Sequence, residues 1–285
     1  MKQKIVFFGS SKHVLPVIEV LKNNFDLELV ITTEEGSSET VPSFCIKNNI
    51  TYISVSSLKD PGVKSRISNL KSELAVLGYF GLLVPDEILD IFSKGIINFH
   101  PSLLPKYRGP TPIQTALLNG DKKTGLSIIL LDEEVDHGPI LWQKEEEILD
   151  KDTSEDLYSK LFLLGATQLR QITEQYVNGN LKPTPQDHKK ASFTERLTKE
   201  DGYIDINNPP EAEKIRRMIK AYFPWPGVWF ICHSEQSEES NLEGKILKLL
   251  PDNKIQVEGK KPMNYKDFAN GYTEGEQILK KLNLI

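Results

Sequence analysis

The sequence predicts an α/β protein, with a mostly parallel sheet in its first half and a small β-rich module at its end. Over the first 100 residues, short apolar runs alternate with amphipathic stretches. The apolar runs are nearly continuous, which is typical of strands buried on both faces of a parallel sheet. Because strand and helix alternate, we expect a Rossmann-like sheet with helices on both sides.

The elements of this sheet follow one another at short intervals. The first turn, "FFGSSKH" (7–13), contains one glycine and lacks the G-x-G-x-x-G pattern of dinucleotide binding. The fold class alone therefore gives no reason to expect NAD. Strands are predicted at 4–9, 27–32, 51–55, 74–80 and 95–100, with helices near 13–22, 41–48, 61–70 and 85–92.

Helix signals continue after residue 110. Thr111 is a predicted N-cap, Pro112 occupies the first helical position and Gly120 ends the helix. We assign these residues a structural role only. The elements predicted next are two strands that form a hairpin and a long amphipathic helix, at 124–133, 139–148 and 154–177.

A polar, proline-bearing stretch at 182–202 is the predicted linker between two domains. A length of 285 residues agrees with about two domains. We expect a catalytic domain at 1–182, a linker at 183–203 and a small OB-like domain at 204–285. Within the last, the polar run 233–240 is predicted to be a mobile hairpin tip.

Composition excludes several classes of protein. The first apolar run, Ile5 to Phe8, is too short for a signal peptide, and no stretch has the ~18 apolar residues of a membrane helix. Cys45 and Cys232 stand far apart, so we expect neither a disulfide framework nor a metal site, and the cytoplasm is the expected compartment. A net charge of −5 disfavours broad nonspecific binding of nucleic acid, but it does not exclude a local basic groove.

Asn98 and His100 end a predicted strand and carry the first indication of chemistry. Side chains two apart on a strand share a face, and ligands of open α/β sheets bind at the carboxyl ends of the strands. An amide and an imidazole at this edge could stabilise a developing oxyanion. Equally, Asn98 could tie down a loop and His100 could be an ordinary buried histidine.

A carboxylate at the same edge would orient the imidazole and raise its pKa. The stretch 131–141, "LDEEVDHGPIL", offers four acidic residues. Chemistry alone does not choose among them. In isolation, the four residues could equally form an acidic turn that is exposed to solvent and has no catalytic role. They are Asp132, Glu133, Glu134 and Asp136.

Two motifs in this order resemble the folate-dependent formyltransferases. "INFHPSLLPKYRG" (97–109) is similar to their N-x-H-x-S-x-L-P-x-x-x-G signature, and "LDEEVDHGPIL" is similar to their downstream aspartate motif. The resemblance implies the formyltransferase fold and formyl transfer from 10-formyltetrahydrofolate to an amine. It implies Asn98, His100 and Asp136 as catalytic residues. As folate-binding residues it implies Ser102, Leu103, Leu104 and Pro105, together with Gly81, Leu83 and Val84 from "GYFGLLVP".

The end of the chain bears on the amine acceptor. "GKKPMNYKDFANGY" (259–272) resembles the C-terminal signature of the family members that act on tRNA. We therefore expect the acceptor to be the amino group of methionyl-initiator tRNA in translation initiation, and the protein to be a cytoplasmic monomer that uses no metal.

Two features of the sequence depart from the pattern of the tRNA-acting family members and keep alternatives open. The segment 32–43 is acidic where tRNA-acting members carry a basic loop, and the C-terminal module is short. Both departures would suit a formyltransferase acting on an amino-sugar nucleotide. From another class, the alternative is a folate- or tRNA-binding module without catalysis, although a pure binder would not need all three catalytic residues.

Overall fold

Two units make up the chain. The computed structural model describes residues 2–33, 40–232 and 242–285. The first unit comprises Met1–Pro112, Lys123–Glu147 and Tyr158–Thr194, and the second comprises Ile113–Lys122, Ile148–Leu157 and Glu195–Ile285. The predicted domain boundaries at 182 and 204 stay a prediction, and the predicted hairpin tip at 233–240 lies outside the described residues.

A seven-stranded sheet forms the centre of the first unit. Its strand order is β3-β2-β1-β4-β5-β6-β7. Strands β1 to β5 are parallel to one another, β6 is antiparallel to β5, and β7 is antiparallel to β6. The predicted α/β fold with a mostly parallel sheet is therefore confirmed. The strands are β1 (Lys4–Gly9), β2 (Asp26–Thr32), β3 (Tyr52–Ser54), β4 (Leu74–Gly78), β5 (Ile96–His100), β6 (Lys123–Leu130) and β7 (Ile140–Glu147).

The helices begin where the sequence supplies a cap and a proline. Thr40 accepts a hydrogen bond from the N–H of Ser43 at the start of α2, and Asp60 accepts one from Gly62 at the start of α3. The predicted helix at 85–92 contains only four α-helical residues. The helices are α1 (Leu15–Asn24), α2 (Val41–Lys47), α3 (Pro61–Asn69), α4 (Asp86–Leu89), α5 (Pro112–Asn119) and α6 (Ser154–Val177).

Continuous apolar strands are buried on both faces, as predicted. Ile5, Val6, Phe7 and Phe8 of β1 are all fully buried. Alternate residues of a strand face opposite sides, so the run contributes to two separate cores. One core contains Val6, Phe8, Leu29, Ile31, Leu58, Ile67, Ala75, Phe80, Ile88, Phe92 and Ile96.

Phe99 sets the direction of its neighbours on β5. Its ring stacks on Phe162 of α6, with centroids 6.0 Å apart. Since side chains alternate along a strand, Asn98 and His100 face the opposite side of the sheet. The packing of one aromatic pair thus determines which face receives the two polar residues.

The second unit contains a four-stranded antiparallel sheet in the order β11-β10-β9-β8. The predicted small β-rich domain is confirmed, but two terminal helices were not predicted. Asn264 caps the first of them by accepting a hydrogen bond from the N–H of Asp267. The elements are α7 (Ala212–Ala221), β8 (Val228–Ile231), β9 (Ile246–Leu250), β10 (Lys254–Val257), β11 (Met263–Asn264), α8 (Tyr265–Gly271) and α9 (Gly275–Lys281).

Gly165 lets α6 approach the sheet closely, and it provides a test of this packing. A Cβ at this position would overlap the Leu126 side chain and lie 2.5 Å from the ring of Phe99. Overpacking costs about 1–3 kcal/mol, and replacing a helical glycine by alanine returns about 1 kcal/mol. We expect Gly165→Ala to lower the free energy of unfolding by about 2 kcal/mol, because the overlap is severe.

Urea unfolding of the two proteins measures this difference. Thr167→Ala in the same helix is the matched control, since Thr167 is exposed and the change should be neutral or slightly stabilising. A Gly165→Ala protein as stable as the wild type would contradict the packing described.

Candidate active site

Asn98 and His100 lie at the carboxyl end of β5, and both are almost fully buried. Asp136 lies in the connection between β6 and β7. Because β6 is antiparallel to β5, this connection starts beside the amino end of β5, and it then comes back far enough to place the Asp136 carboxylate 3.3 Å from Asn98 and from His100. The Asp136 backbone has a φ of 50°, in the left-handed region that residues other than glycine seldom adopt. The structure therefore brings together the three residues predicted to be catalytic.

The Asp136 carboxylate is the centre of a hydrogen-bond network. Its Oδ1 accepts from Asn98 Nδ2 at 3.3 Å and lies 3.3 Å from His100 Nδ1. Its Oδ2 accepts from the backbone N–H of Gly109 at 2.8 Å. On the other side of the imidazole, His100 Nε2 donates to the carbonyl oxygen of Tyr107 at 2.8 Å. Both ring nitrogens therefore face acceptors, which is the pattern of a charged imidazolium.

Charge and burial oppose each other at this pair. Burial lowers the pKa of His100, but the Asp136 carboxylate and the bond to Tyr107 outweigh it, and the net shift is upward. Burial raises the pKa of Asp136, but the His100 charge and the Gly109 N–H outweigh it, and the net shift is downward. The arrangement favours an ionised carboxylate beside a protonated imidazole.

Asp136 differs from the other acidic residues of its connection. Asp132 Oδ2 lies 2.7 Å from Nδ1 of His137. Glu133 and Glu134 are exposed. Of the four carboxylates that the sequence offers, that of Asp136 is the one in contact with both Asn98 and His100.

The predicted folate segment 102–105 is held in place by hydrogen bonds. Ser102 Oγ donates to the carbonyl of Lys106 at 2.6 Å, and the Leu104 N–H donates to Ser127 Oγ at 3.1 Å. Ser102 and Leu104 are buried, and the Leu104–Pro105 peptide bond is cis. Leu103 packs over Gly125 of β6. These contacts hold the segment in place directly after the end of β5.

Gly81, Leu83 and Val84 follow β4, the parallel neighbour of β5, so they leave the sheet at the same edge. Gly81 has a φ of 81°. The Leu83 side chain is 80% exposed, whereas Val84 packs against the apolar core. Leu83 thus exposes an apolar side chain to solvent at this edge of the sheet.

Two further buried residues contact the site, and the sequence analysis did not find them. Gln186 Nε2 donates to the carbonyl of Asp136 at 2.8 Å, and Gln186 Oε1 accepts from Arg108 Nη2 at 2.8 Å. Gln186 lies in the stretch predicted to be a linker, where a polar residue is ordinarily solvated. The part of that stretch up to Thr194 instead belongs to the first unit, where Thr184 pairs with Ile140 and Phe193 pairs with Arg108.

No helix in the described ranges is long and apolar enough to cross a lipid bilayer. Among the same residues, no group of three or more His, Cys, Asp or Glu side chains could hold a metal ion.

Known proteins resemble the chain in sequence and in fold. The formyl transferase family model matches residues 4–172, and the model of the formyl transferase C-terminal domain matches residues 196–254. The methionyl-tRNA formyltransferase of Thermodesulfovibrio yellowstonii is 33% identical over 300 residues, which cover 95% of this chain and 96% of that relative.

Solved structures match the fold at lower identity. A sugar N-formyltransferase from a Shewanella species has a TM-score of 0.65 at 21% identity, over 81% of this chain and 93% of its own. The methionyl-tRNA formyltransferase of Clostridium thermocellum has a TM-score of 0.62 at 17% identity, over 93% of this chain and 100% of its own. At such identities the likeness concerns the fold alone.

The family model of the first domain covers more than half of the chain, and the Thermodesulfovibrio relative is matched over nearly its full length. The chain belongs to the formyl transferase family.

Proposed function

We propose that this protein transfers a formyl group from 10-formyltetrahydrofolate to the amino group of methionyl-initiator tRNA, as a step of translation initiation. The observation that carries formyl transfer is the contact of the Asp136 carboxylate with both Asn98 and His100 at a strand end. The acceptor is supported by the relative named methionyl-tRNA formyltransferase, which is 33% identical. The protein would act in the cytoplasm as a monomer.

The reaction forms one C–N bond and breaks another. The acceptor amine attacks the formyl carbon, and the carbonyl oxygen becomes an oxyanion in the tetrahedral intermediate. The intermediate collapses by breaking the bond between the formyl carbon and N10 of the folate. The proton lost by the attacking nitrogen ends on N10, so the products are a formamide and tetrahydrofolate.

Asn98 and His100 would stabilise the oxyanion in different ways. One N–H of Asn98 donates to Asp136, and we assign its second N–H to the oxyanion. The two N–H groups of the His100 imidazolium are directed at Asp136 and Tyr107. His100 would therefore act mainly through its positive charge, which is effective because the site is buried.

Asp136 would have two tasks in this reaction. Its negative charge keeps His100 protonated, and its carboxylate accepts the proton of the attacking nitrogen and returns it to N10 through water. The hydrogen bond from Gly109 holds one carboxylate oxygen in place at 2.8 Å. A fixed carboxylate serves proton transfer because the geometry must be right before the pKa matters.

The folate would bind along the strand end. We assign the wall of its pocket to the segment Ser102, Leu103, Leu104 and Pro105, and the apolar lining to Gly81, Leu83 and Val84. Exposed Leu83 suits an aromatic pterin ring, since its apolar surface is buried only when a ligand covers it.

The first test is mutation of the catalytic residues. We expect Asn98→Ala to lower kcat by about 10²–10³-fold, because it removes one oxyanion donor. Asp136→Asn should lower kcat at least as much and should affect turnover far more than Tm, since His100 then loses its proton and is not left as an unpaired buried charge. Formyl transfer from 10-formyltetrahydrofolate measures both.

Glu133→Gln is the matched control, because it removes an exposed carboxylate from the same connection. It should keep normal turnover. Near-normal formyl transfer by Asp136→Asn would refute the assignment.

The second test is the titration of His100. In the wild type we expect its pKa above the ordinary 6.5, because the Asp136 carboxylate outweighs burial. In Asp136→Asn burial remains, and we expect the pKa to fall below 6.5. Imidazole NMR chemical shifts measured against pH give both values.

The same pair determines how stability depends on pH. The stability due to protonated His100 is fully present below pH 6.5 and is lost as pH rises through its raised pKa. The stability due to Asp136 is present above its ordinary pKa of 3.8 and is lost as pH falls through its lowered one. A His100 pKa that is equal in the wild type and in Asp136→Asn would contradict the ion pair.

The third test identifies the acceptor. An amino-sugar nucleotide is the second candidate, and it is favoured by the acidic segment 32–43, where Glu34, Glu35 and Glu39 would repel phosphates. We expect formylation of charged initiator tRNA and none of amino-sugar nucleotides. The KM for tRNA should rise about 10- to 150-fold between 50 and 200 mM salt if two to four phosphates are contacted. Formylation of the sugar alone would reverse the choice.

A further inference from the structure

A single amide holds the turn that carries Asp136. Gln186 is 6% exposed, and its Nε2 donates to two backbone carbonyls, that of Asp136 at 2.8 Å and that of Gly138 at 2.7 Å. Both N–H groups of the amide are thereby used. Because Asp136 has a φ of 50°, its conformation carries a local energetic cost. Fixing the carbonyls on both sides of His137 offsets that cost and fixes the direction of the Asp136 side chain.

The other end of the same amide binds a buried cation. Gln186 Oε1 accepts from Arg108 Nη2 at 2.8 Å and from Arg108 Nε at 3.3 Å. Arg108 is only 3% exposed. The amide thus connects the guanidinium to the backbone of the proposed catalytic aspartate.

The hydrogen bonds of Arg108 go to neutral groups. Besides Gln186, its Nη2 contacts His188 Nδ1 at 2.8 Å. A guanidinium only donates, so this histidine nitrogen is the acceptor in the contact. A buried charge with neutral partners is costly unless an opposite charge lies near. The Asp136 carboxylate is bound by the N–H of Gly109, the residue after Arg108, and the Arg108 charge lowers the pKa of that carboxyl, so we take Asp136 as the counter-charge.

We propose that Gln186 and Arg108 are positioning residues for formyl transfer: Gln186 fixes the backbone of Asp136, and Arg108 supplies a buried positive charge that acts on its carboxylate. The inference rests on the proposed function, because it assigns the pair a part in that reaction. Neither side chain needs to touch a substrate. The predicted linker thus contributes to the site through Gln186.

The direction in which the Arg108 charge shifts the pKa values of Asp136 and His100 distinguishes an electrostatic role from a merely structural one. The Arg108 charge lowers the pKa of Asp136 and also lowers that of His100. Removing the charge should therefore raise both. A loosened site would instead admit water and move each group toward its ordinary value, which lowers the pKa of His100. Among the described residues, the other titratable groups on the connection of Asp136 are Asp132, Glu133, Glu134 and His137, and His137 stacks on His188 of the segment after α6.

The experiment compares Arg108→Met with Arg108→Lys by NMR titration of the Asp136 carboxyl carbon and the His100 ring. We expect both pKa values to rise in Arg108→Met, and Arg108→Lys, which keeps the charge, to restore them. Unchanged values in Arg108→Met, or a lower pKa of His100, would overturn the role of Arg108. These measurements need no turnover, so they stand even if the proposed reaction is wrong.

Gln186→Leu tests the backbone role in kinetics. We expect kcat to fall about 100-fold through misplacement of Asp136, with the KM for 10-formyltetrahydrofolate unchanged. Ser72→Ala is the control: its buried hydroxyl lies 2.8 Å from the carbonyl oxygen of Lys4 and 2.9 Å from that of Leu74, at the start of β4, and can donate its single proton to either. It should lower Tm and leave kcat and both pKa values unchanged.

The outcomes separate the two hypotheses. If Gln186→Leu loses no more turnover than Ser72→Ala while Asp136→Asn is inactive, the positioning role fails and the proposed function stands. If the wild type itself transfers no formyl group, the proposed function fails, and with it the role of Gln186 in catalysis. Should Gln186→Leu not fold, Gln186→Glu keeps the acceptor for Arg108 and removes the donors to both carbonyls. It should lower kcat in the same way, and normal turnover would refute the proposal.

Discussion

The buried ion pair between the Asp136 carboxylate and the His100 imidazolium is the interaction on which the rest of the site depends. Burying either charge without the other would cost several kcal/mol, so each charge requires the other. The remaining polar atoms are satisfied by Asn98 and the Gly109 N–H on the carboxylate and by the Tyr107 carbonyl on the imidazole. A change to one member therefore alters the protonation of the other as well as deleting a contact.

Strand geometry makes this pair possible between residues 36 positions apart. Phe99 packs on α6 and directs His100 to the opposite face of β5. The antiparallel β6 ends beside the amino end of β5, and the connection that follows it comes back to place Asp136 against Asn98 and His100. The left-handed backbone of Asp136 then points its carboxylate at β5. Packing of apolar residues thus fixes a polar site, and the site adds hydrogen bonds that tie the loops to the sheet.

Much of the fold follows from local patterns, and part of the site does not. Apolar runs predict the strands of the large sheet, and strand periodicity alone pairs Asn98 with His100. Selecting Asp136 among four carboxylates requires the resemblance to a family or the structure, because a long-range return of the chain decides it. Gln186 gives no local signal, since a polar residue in a polar stretch is ordinarily solvated. Helices α8 and α9 have seven residues each, too few for a clear apolar period.

The buried charges of the site do not sum to zero, and this imbalance has a chemical meaning. His100 and Arg108 are two cations, and Asp136 is one anion, so the cluster carries a net charge of about +1 when both pKa shifts take effect. A surplus positive charge in a buried site is unfavourable before the reaction. In the proposed reaction the tetrahedral oxyanion brings the missing negative charge. The site would then be complementary to the transition state rather than to the neutral formyl group, which is the condition for lowering a barrier rather than only binding a substrate.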